Sequence, residues 1–189
     1  MTHSIANELS DLAFTLARES DRGMALTGAA MLDDSLEILI KVHLLDKPKL
    51  VISLLGPDRP LGTFSGRIKL AYLLGLLEES EFRDLEVVRK IRNDCAHNRG
   101  DVDFGAAPHK DRIAELNAPK QTAELLKTFF AESLTDKGQL PRNQLLIGIC
   151  YLGAWLNHRT DAVKRSTTPD FSAWKRRAFE EAKNQEKTG

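Results

Sequence analysis

The sequence has little of what marks a secreted or membrane protein. It contains two cysteines, Cys95 and Cys150, in 189 residues, which is too few for the disulfide framework of a small secreted domain. Residues 1–14 carry acids and lack the apolar centre of a signal peptide. No apolar run approaches the ~18 residues that a membrane helix needs. We therefore expect buried thiols, a reducing compartment and a cytoplasmic location, with no membrane partner.

Net charge and aromatic side chains are also scarce. Lys plus Arg and Asp plus Glu number 27 each, so the formal net charge is zero. Overall charge therefore gives no support for a protein that covers nucleic acid. Aromatic residues make up 6% of the chain, which leaves the core to Leu, Ile, Val and Ala. The length suits a single globular domain with a core of its own.

Apolar residues recur at helical spacing along most of the chain. The longest stripe follows Asp21, a predicted N-cap, and runs to about Leu45, with small residues near its start that would let another helix approach. The other predicted helices are Ile5 to Glu19, a short piece from Lys49 to Leu55, a helix capped by Thr63 or Ser65 and running to Leu77, a helix capped by Ser80 and running to Asn98, His109 to Leu116, Pro119 to Leu134, and Pro141 to Val163.

These stripes predict an all-α fold, an irregular bundle of about six to eight helices. We expect residues 1–164 to form one helical domain. Residues 165–189 are predicted to form a polar, partly mobile tail with a short amphipathic segment around Phe171, Trp174 and Phe179. Those three rings are a candidate docking element for a partner protein or a second subunit, although packing on the same chain is the more ordinary explanation.

Two patterns that suggest ligand sites do not meet the chemical requirements of such sites. The turn from Gly56 to Thr63 contains two glycines, but its spacing matches neither common nucleotide-binding loop and no strand precedes it. Asp33, Asp34 and Glu37 lie on the polar face of a helix without the histidine at i+3 that a di-iron helix would have. We therefore predict no metal and no cofactor.

The polar end of the helix from Phe82 to Asn98 is the main candidate site. Asn93 and His97 are four residues apart and share a face, with Arg92 beside them. A histidine supplies a general acid or base near neutral pH, and an arginine stabilises negative charge on a phosphate. The arrangement resembles that of HEPN-domain ribonucleases, helical bundles that pair the motif across a homodimer. In that alternative Arg92, Asn93 and His97 would be catalytic.

The same cluster also has a structural interpretation. A helix C-terminus leaves carbonyl groups without partners, and His97 and Arg99 are cations placed to meet them. Arg92 would then pair with an acid on a neighbouring element, with Asp34, Glu37 and Glu78 as the candidates.

A longer pattern joins this cluster to the preceding helix. The segments LGTFSGRIKLAY, from Leu61 to Tyr72, and LEVVRKIRN, from Leu85 to Asn93, are followed by Ala96 and His97. Together they resemble the mannitol operon repressor (MtlR/MltR) family. The resemblance is dense from Leu61 to His97 and looser over most of the remaining chain.

This resemblance implies a bacterial, all-helical, cytoplasmic regulator that represses a sugar-alcohol uptake operon and is not an enzyme. No short helix–turn–helix with a basic recognition face is present in the sequence, so DNA contact, direct or indirect, stays open. Action through a regulatory protein partner, such as a phosphotransferase-system carrier, is an equal expectation.

We predict that six polar residues of the two segments surround one binding patch. The alternative is a buried salt-bridge network, and exposure of the arginines would distinguish the two. The six residues are Arg67, Lys69, Arg89, Arg92, Asn93 and His97.

Overall fold

The computed structural model describes residues 5–98, 100–121, 140–168, 172 and 176–177. In this part of the chain the structure has helices and no strands, which confirms the all-α fold. The helices are α1 (Ile5–Ala17), α2 (Asp21–His43), α3 (Pro48–Leu55), α4 (Phe64–Leu73), α5 (Glu79–His97), α6 (His109–Ile113), α7 (Ala118–Gln121) and α8 (Leu140–Ala162). Most of the predicted helix from Pro119 to Leu134, and the segment around Phe171, Trp174 and Phe179, lie outside the described residues.

Helix α2 lies at the centre of the bundle and contacts α1, α4, α5 and α8. Its predicted stripe, from Ala25 to Leu39, is buried along its whole length. The small residues near its start bring α8 close, because a Cβ added at Gly28 would lie 2.6 Å from Ile149 Cδ1. The predicted close helix approach is thus present, and α8 is the helix that makes it.

Side-chain caps begin α2 and α4. Ser20 caps α2 by accepting a hydrogen bond from the Gly23 N–H at 3.1 Å, so the prediction of Asp21 as the cap was wrong by one position. Thr63 caps α4, as one of the two predicted candidates, by accepting from the Gly66 N–H at 3.1 Å. Thr63 therefore fixes the point at which the chain enters α4.

Helix α4 ends at Leu73 and not at the predicted Leu77. Gly75 has a φ of 70°, the left-handed conformation that glycine adopts without steric cost. The N–H groups of Gly75 and Leu76 donate to the carbonyls of Tyr72 and Ala71, both at 2.9 Å. These two bonds form a Schellman motif, which stops the helix there.

Helix α5 begins at Glu79, with Glu78 as its N-cap, so the predicted cap at Ser80 was wrong. Glu81 accepts a hydrogen bond from the Glu78 N–H at 2.7 Å and completes a capping box. The same carboxylate, which is buried, pairs with Arg159 of α8 through two bonds of 2.8 and 2.9 Å. Its two roles tie the start of α5 to the end of α8.

The chain after α8 runs back to the end of α2. The Ser166 N–H donates to the His43 carbonyl at 2.7 Å, and His43 Nδ1 lies 3.2 Å from the Lys164 carbonyl oxygen. Contacts with the bundle therefore continue past residue 164, where the sequence places the end of the domain. No described helix has the length and apolarity needed to cross a membrane.

Candidate functional site

A cavity of about 340 Å³ lies between the start of α4 and the second half of α5. We call it the α4–α5 cavity. Thr63 places the first turn of α4 against α5, and Arg92 and Asn93 lie one helical turn after Arg89 on the facing side of α5. The structure thus brings together half of the predicted binding residues. The lining residues are Asp33, Gly62, Thr63, Phe64, Ser65, Arg89, Arg92 and Asn93.

Arg67 lies beneath this region and is only 6% exposed. Its Nη1 atom is 2.7 Å from Asp33 Oδ1, and its Nη2 atom pairs with Glu37 and donates to the Leu55 carbonyl at 3.0 Å. Full burial against acids is the arrangement expected of a structural residue. Arg67 joins α2, α3 and α4, and does not line the cavity.

Asp33 is the acidic member of the cavity wall. Burial raises the pKa of the Asp33 carboxyl, and nearby Asp34 and Glu37 act in the same direction, while Arg67 opposes them. Arg67 Nη1 lies 2.7 Å from Asp33 Oδ1, and Arg67 opposes the rise in the pKa of this carboxyl through hydrogen bonding and through its charge. Arg67 is therefore the partner that compensates the negative charge of Asp33.

The two cavity arginines differ in their partners. Arg89 is half-buried and pairs with Glu86 of its own helix, with Nη2 2.8 Å from Oε2. Arg92 is exposed and donates to Asn93 Oδ1 at 3.0 Å, and it forms no ion pair within the described residues. The predicted structural pairing of Arg92 with Asp34, Glu37 or Glu78 is absent there, and Glu37 pairs instead with Arg67 and Lys41.

Lys69 and His97 are exposed and do not line the cavity. In the described part of the chain, His97 makes no hydrogen bond or ion pair. The residues of the ribonuclease alternative therefore divide between two places, since Arg92 and Asn93 face the cavity and His97 does not.

The C-terminus of α5 is held by Arg22 of α2 and not by His97. Arg22 Nη1 donates to the Cys95 and Asn98 carbonyls at 2.8 and 2.7 Å, and Nη2 donates to Gly100. Arg22 is 73 residues before Cys95, so no local spacing in the sequence indicated this contact.

Among the described residues, no group of three or more His, Cys, Asp or Glu side chains could hold a metal ion. Asp33 and Glu37, which the sequence places on one helix face, both contact Arg67. The polar groups of the α4–α5 cavity are therefore guanidinium, amide and hydroxyl groups and the carboxylate of Asp33.

A helical bundle with an accessible cavity lined by arginine has the organisation of a binding or regulatory module. The chain belongs to the mannitol repressor family, MtlR, whose family model matches residues 16–148. This range contains α2 to α7 and includes the whole cavity lining. Family membership identifies the chain as a repressor-type regulator, and the comparisons do not support the ribonuclease alternative.

The individual relatives are distant and agree in fold. The mannitol operon repressor of Escherichia coli K12 is 23% identical over 147 residues, which are 72% of this chain and 75% of that protein. The structure of the MtlR–HPr complex from Escherichia coli matches with a TM-score of 0.62 and 20% identity, covering 80% of this chain and 99% of that one. A possible transcriptional regulator, YggD from Shigella flexneri 2a, matches with a TM-score of 0.60 and 16% identity, covering 82% and 98%.

Proposed function

We propose that this protein represses a sugar-alcohol uptake operon in the cytoplasm, acts through a protein partner and has no catalytic activity. The family match over residues 16–148 is the observation that supports the proposal. The relative with the same family name is described as a mannitol operon repressor. Because the identity to that relative is 23%, the sugar alcohol is proposed by class and not as one compound.

The proposed partner is a small carrier protein of the phosphotransferase type. One relative of the same fold has been solved as a complex with HPr, a carrier of this type. The net charge of zero and the lack of a helix–turn–helix pattern in the sequence also favour a partner over unaided DNA recognition.

The proposed binding surface is the C-terminal half of α5, defined here by Arg89, Arg92, Asn93 and His97. Arg92 and His97 are exposed, and neither forms an ion pair within the described residues. Lys69 lies on α4 as an exposed peripheral cation, and Arg67 supports the surface from below through its ion pairs.

A promoter–reporter assay tests the proposed function. The promoters of the sugar-alcohol uptake operons in the source bacterium are fused to a reporter and compared with and without the gene for this protein. We expect expression of one operon to rise several-fold on deletion and to return to the repressed level on complementation. Unchanged expression from every such promoter would contradict the function.

Two variants then test the surface and the absence of catalysis. Arg92→Ala should complement poorly, whereas Arg83→Ala should complement fully, because Arg83 is an exposed arginine of α5 outside the cavity lining. Labelled RNA incubated with wild-type protein, Arg92→Ala and His97→Ala should be cleaved at the background rate in all three. Cleavage above the background rate by the wild-type protein alone would show that the protein is a ribonuclease and would contradict the absence of catalysis.

A further inference from the structure

The α4–α5 cavity carries hydrogen-bond donors that the described residues leave without acceptors. A guanidinium has five N–H donors, and Arg92 uses one of them on Asn93 Oδ1. At the start of α4, Thr63 Oγ1 accepts from the Gly66 N–H. The N–H groups of Phe64 and Ser65 precede the first intrahelical acceptor. The residues with unpaired donors, Phe64, Ser65 and Arg92, all line the cavity.

The charges around the cavity favour an anion. Arg89 is compensated by Glu86, and Asp33 is compensated by Arg67. Arg92 is the charged lining residue for which the described chain supplies no counter-ion. The N-terminal end of α4 adds partial positive charge on the same side. A phosphate group would accept hydrogen bonds from both the guanidinium of Arg92 and the free N–H groups of α4.

The remaining lining groups favour a ligand with hydroxyls. Ser65 Oγ and Asn93 Nδ2 have no hydrogen-bond partner among the described residues, and Asp33 presents a carboxylate at the same wall. A bare phosphate would be repelled by this carboxylate, whereas a hydroxyl would donate to it. The volume of about 340 Å³ is at the small end of the range for ligand pockets.

We propose that the α4–α5 cavity binds a small phosphate ester of a polyol. Arg92 and the first turn of α4 hold the phosphate, and Asp33, Ser65 and Asn93 bind the hydroxyls. The choice of polyol rests on the proposed function, because a regulator coupled to a phosphotransferase carrier would meet the sugar alcohol in its phosphorylated form. Ligand binding in the cavity would thereby make repression depend on uptake of the sugar alcohol.

Isothermal titration calorimetry of the full chain tests this proposal. The probes are mannitol 1-phosphate, glucitol 6-phosphate and glycerol 3-phosphate, with mannitol and inorganic phosphate in parallel. We expect at least one ester to bind at least tenfold more tightly than mannitol and inorganic phosphate. Binding of none of the three esters, or binding of inorganic phosphate as tightly as the best ester, would overturn the assignment.

Matched arginine variants locate the site. Arg92→Ala should weaken ester binding by about tenfold or more, which is the effect expected for a charge-assisted hydrogen bond, and Ser65→Ala should weaken it by a smaller factor. Arg83→Ala should bind as wild type does. Circular dichroism and the thermal midpoint of each variant establish that it is folded. Equal affinities of Arg92→Ala and Arg83→Ala would place the ligand elsewhere and overturn the proposal.

The proposed regulatory function and the proposed ligand site can be contradicted independently of each other. Repression that persists while no ester binds would overturn the ligand site and leave the regulatory function intact. An ester that binds through Arg92, with no promoter responding to the protein, would overturn the regulatory function and leave the ligand site intact.

Discussion

At the scale of single residues, Arg67 was predicted to bind a partner or ligand but has a structural role in the bundle. Its guanidinium is buried between the carboxylates of Asp33 and Glu37 and the Leu55 carbonyl. A buried ion pair has little net stabilising effect over an apolar replacement, but removing one partner leaves uncompensated charge. Arg67 therefore contributes to the site by holding α2, α3 and α4 together beneath it.

Arg67→Ala should lower the free energy of unfolding by about 3 kcal/mol, because it leaves Asp33 without its ion-pair partner and Glu37 with Lys41 alone, and removes the hydrogen bond to the Leu55 carbonyl. Urea denaturation followed by circular dichroism measures the change. Lys69→Ala is the matched control, since Lys69 is an exposed cation of the same helix, and it should stay within about 0.5 kcal/mol of wild type. A loss below about 1 kcal/mol for Arg67→Ala would contradict the structural role.

The two cysteines give a second prediction at this scale. Burial raises the pKa of the Cys150 thiol to about 12 and also raises the pKa of Cys95. At pH 8 roughly one Cys150 thiol in ten thousand is then ionised, and the thiolate is the reactive form. We expect neither cysteine to react with a water-soluble disulfide reagent until the protein is unfolded in urea, where both should react. Rapid labelling of native protein at pH 8 would contradict this.

The lining of the candidate site was partly predictable from the sequence because α5 supplies three of its residues. Helical spacing places Arg89, Arg92 and Asn93 within reach of one another, and the cavity is lined by all three. The burial of Arg67 was not predictable in the same way. Its acidic partners lie 34 and 30 residues earlier on α2, and spacing within a helix shows which residues share a face but not what that face contacts.

At the scale of secondary-structure elements, the end of α5 depends on a contact from another helix. Arg22 donates to three carbonyl groups at or just beyond that end. A helix C-terminus leaves its last carbonyls without intrahelical donors. A fixed guanidinium can satisfy several of them at once and also opposes the negative end of the helix dipole.

Arg22→Ala should therefore destabilise the protein by about 2 kcal/mol, the scale of lost hydrogen bonds to a charged group. Amide hydrogen exchange should rise near residues 95–98 before it rises in the centre of α2. Arg18→Ala is the control, because Arg18 stacks on the exposed ring of Phe14 and should contribute little. Unchanged exchange at the end of α5 would mean that Arg22 does not hold it.

The helices themselves were predictable, and their ends were less so. Apolar stripes mark the buried faces of α2, α5 and α8, because an amphipathic helix is stabilised mainly by packing its apolar face against the core. The end of α4 was placed too late because Gly75 lies inside an otherwise continuous apolar run. The start of α5 was misplaced because Glu78 is an uncommon N-cap, and its box with Glu81 becomes evident only in the structure.

At the scale of the whole molecule, the described helices share one core around α2 and α8. Helix α8 contacts α1, α2, α5, α6 and α7, so no long described helix packs apart from the others. The all-helical character of the described residues followed from the sequence, but this arrangement did not, because it depends on pairings such as Gly28 with Ile149 between distant segments. The cavity exists because α2, α4 and α5 meet on one side of that shared core.

At the same scale, the overall charge bears on whether the protein can bind DNA without a partner. Cations and anions balance, at 27 each, and several arginines are engaged in ion pairs with acids of the same chain. Affinity for duplex DNA depends on cations that neutralise phosphates, and log K falls with log salt at a slope of about −0.9 per neutralised phosphate. A protein whose cations are balanced by an equal number of anions should therefore bind DNA weakly by itself.

We expect the purified protein alone to bind its operon's upstream DNA with a salt slope shallower than about −3, corresponding to about three phosphate contacts or fewer. Addition of the phosphotransferase carrier should produce a tighter, sequence-dependent complex in a gel-shift assay. The same carrier added with Arg92→Ala protein should produce less of that complex, while Arg83→Ala should match wild type, since the two variants lose the same charge from the same helix. Tight, steeply salt-dependent binding by the protein alone would instead mean that the surface reads DNA directly. In that case the protein would have a local basic surface in spite of its zero net charge, and it would not need a partner to bind DNA.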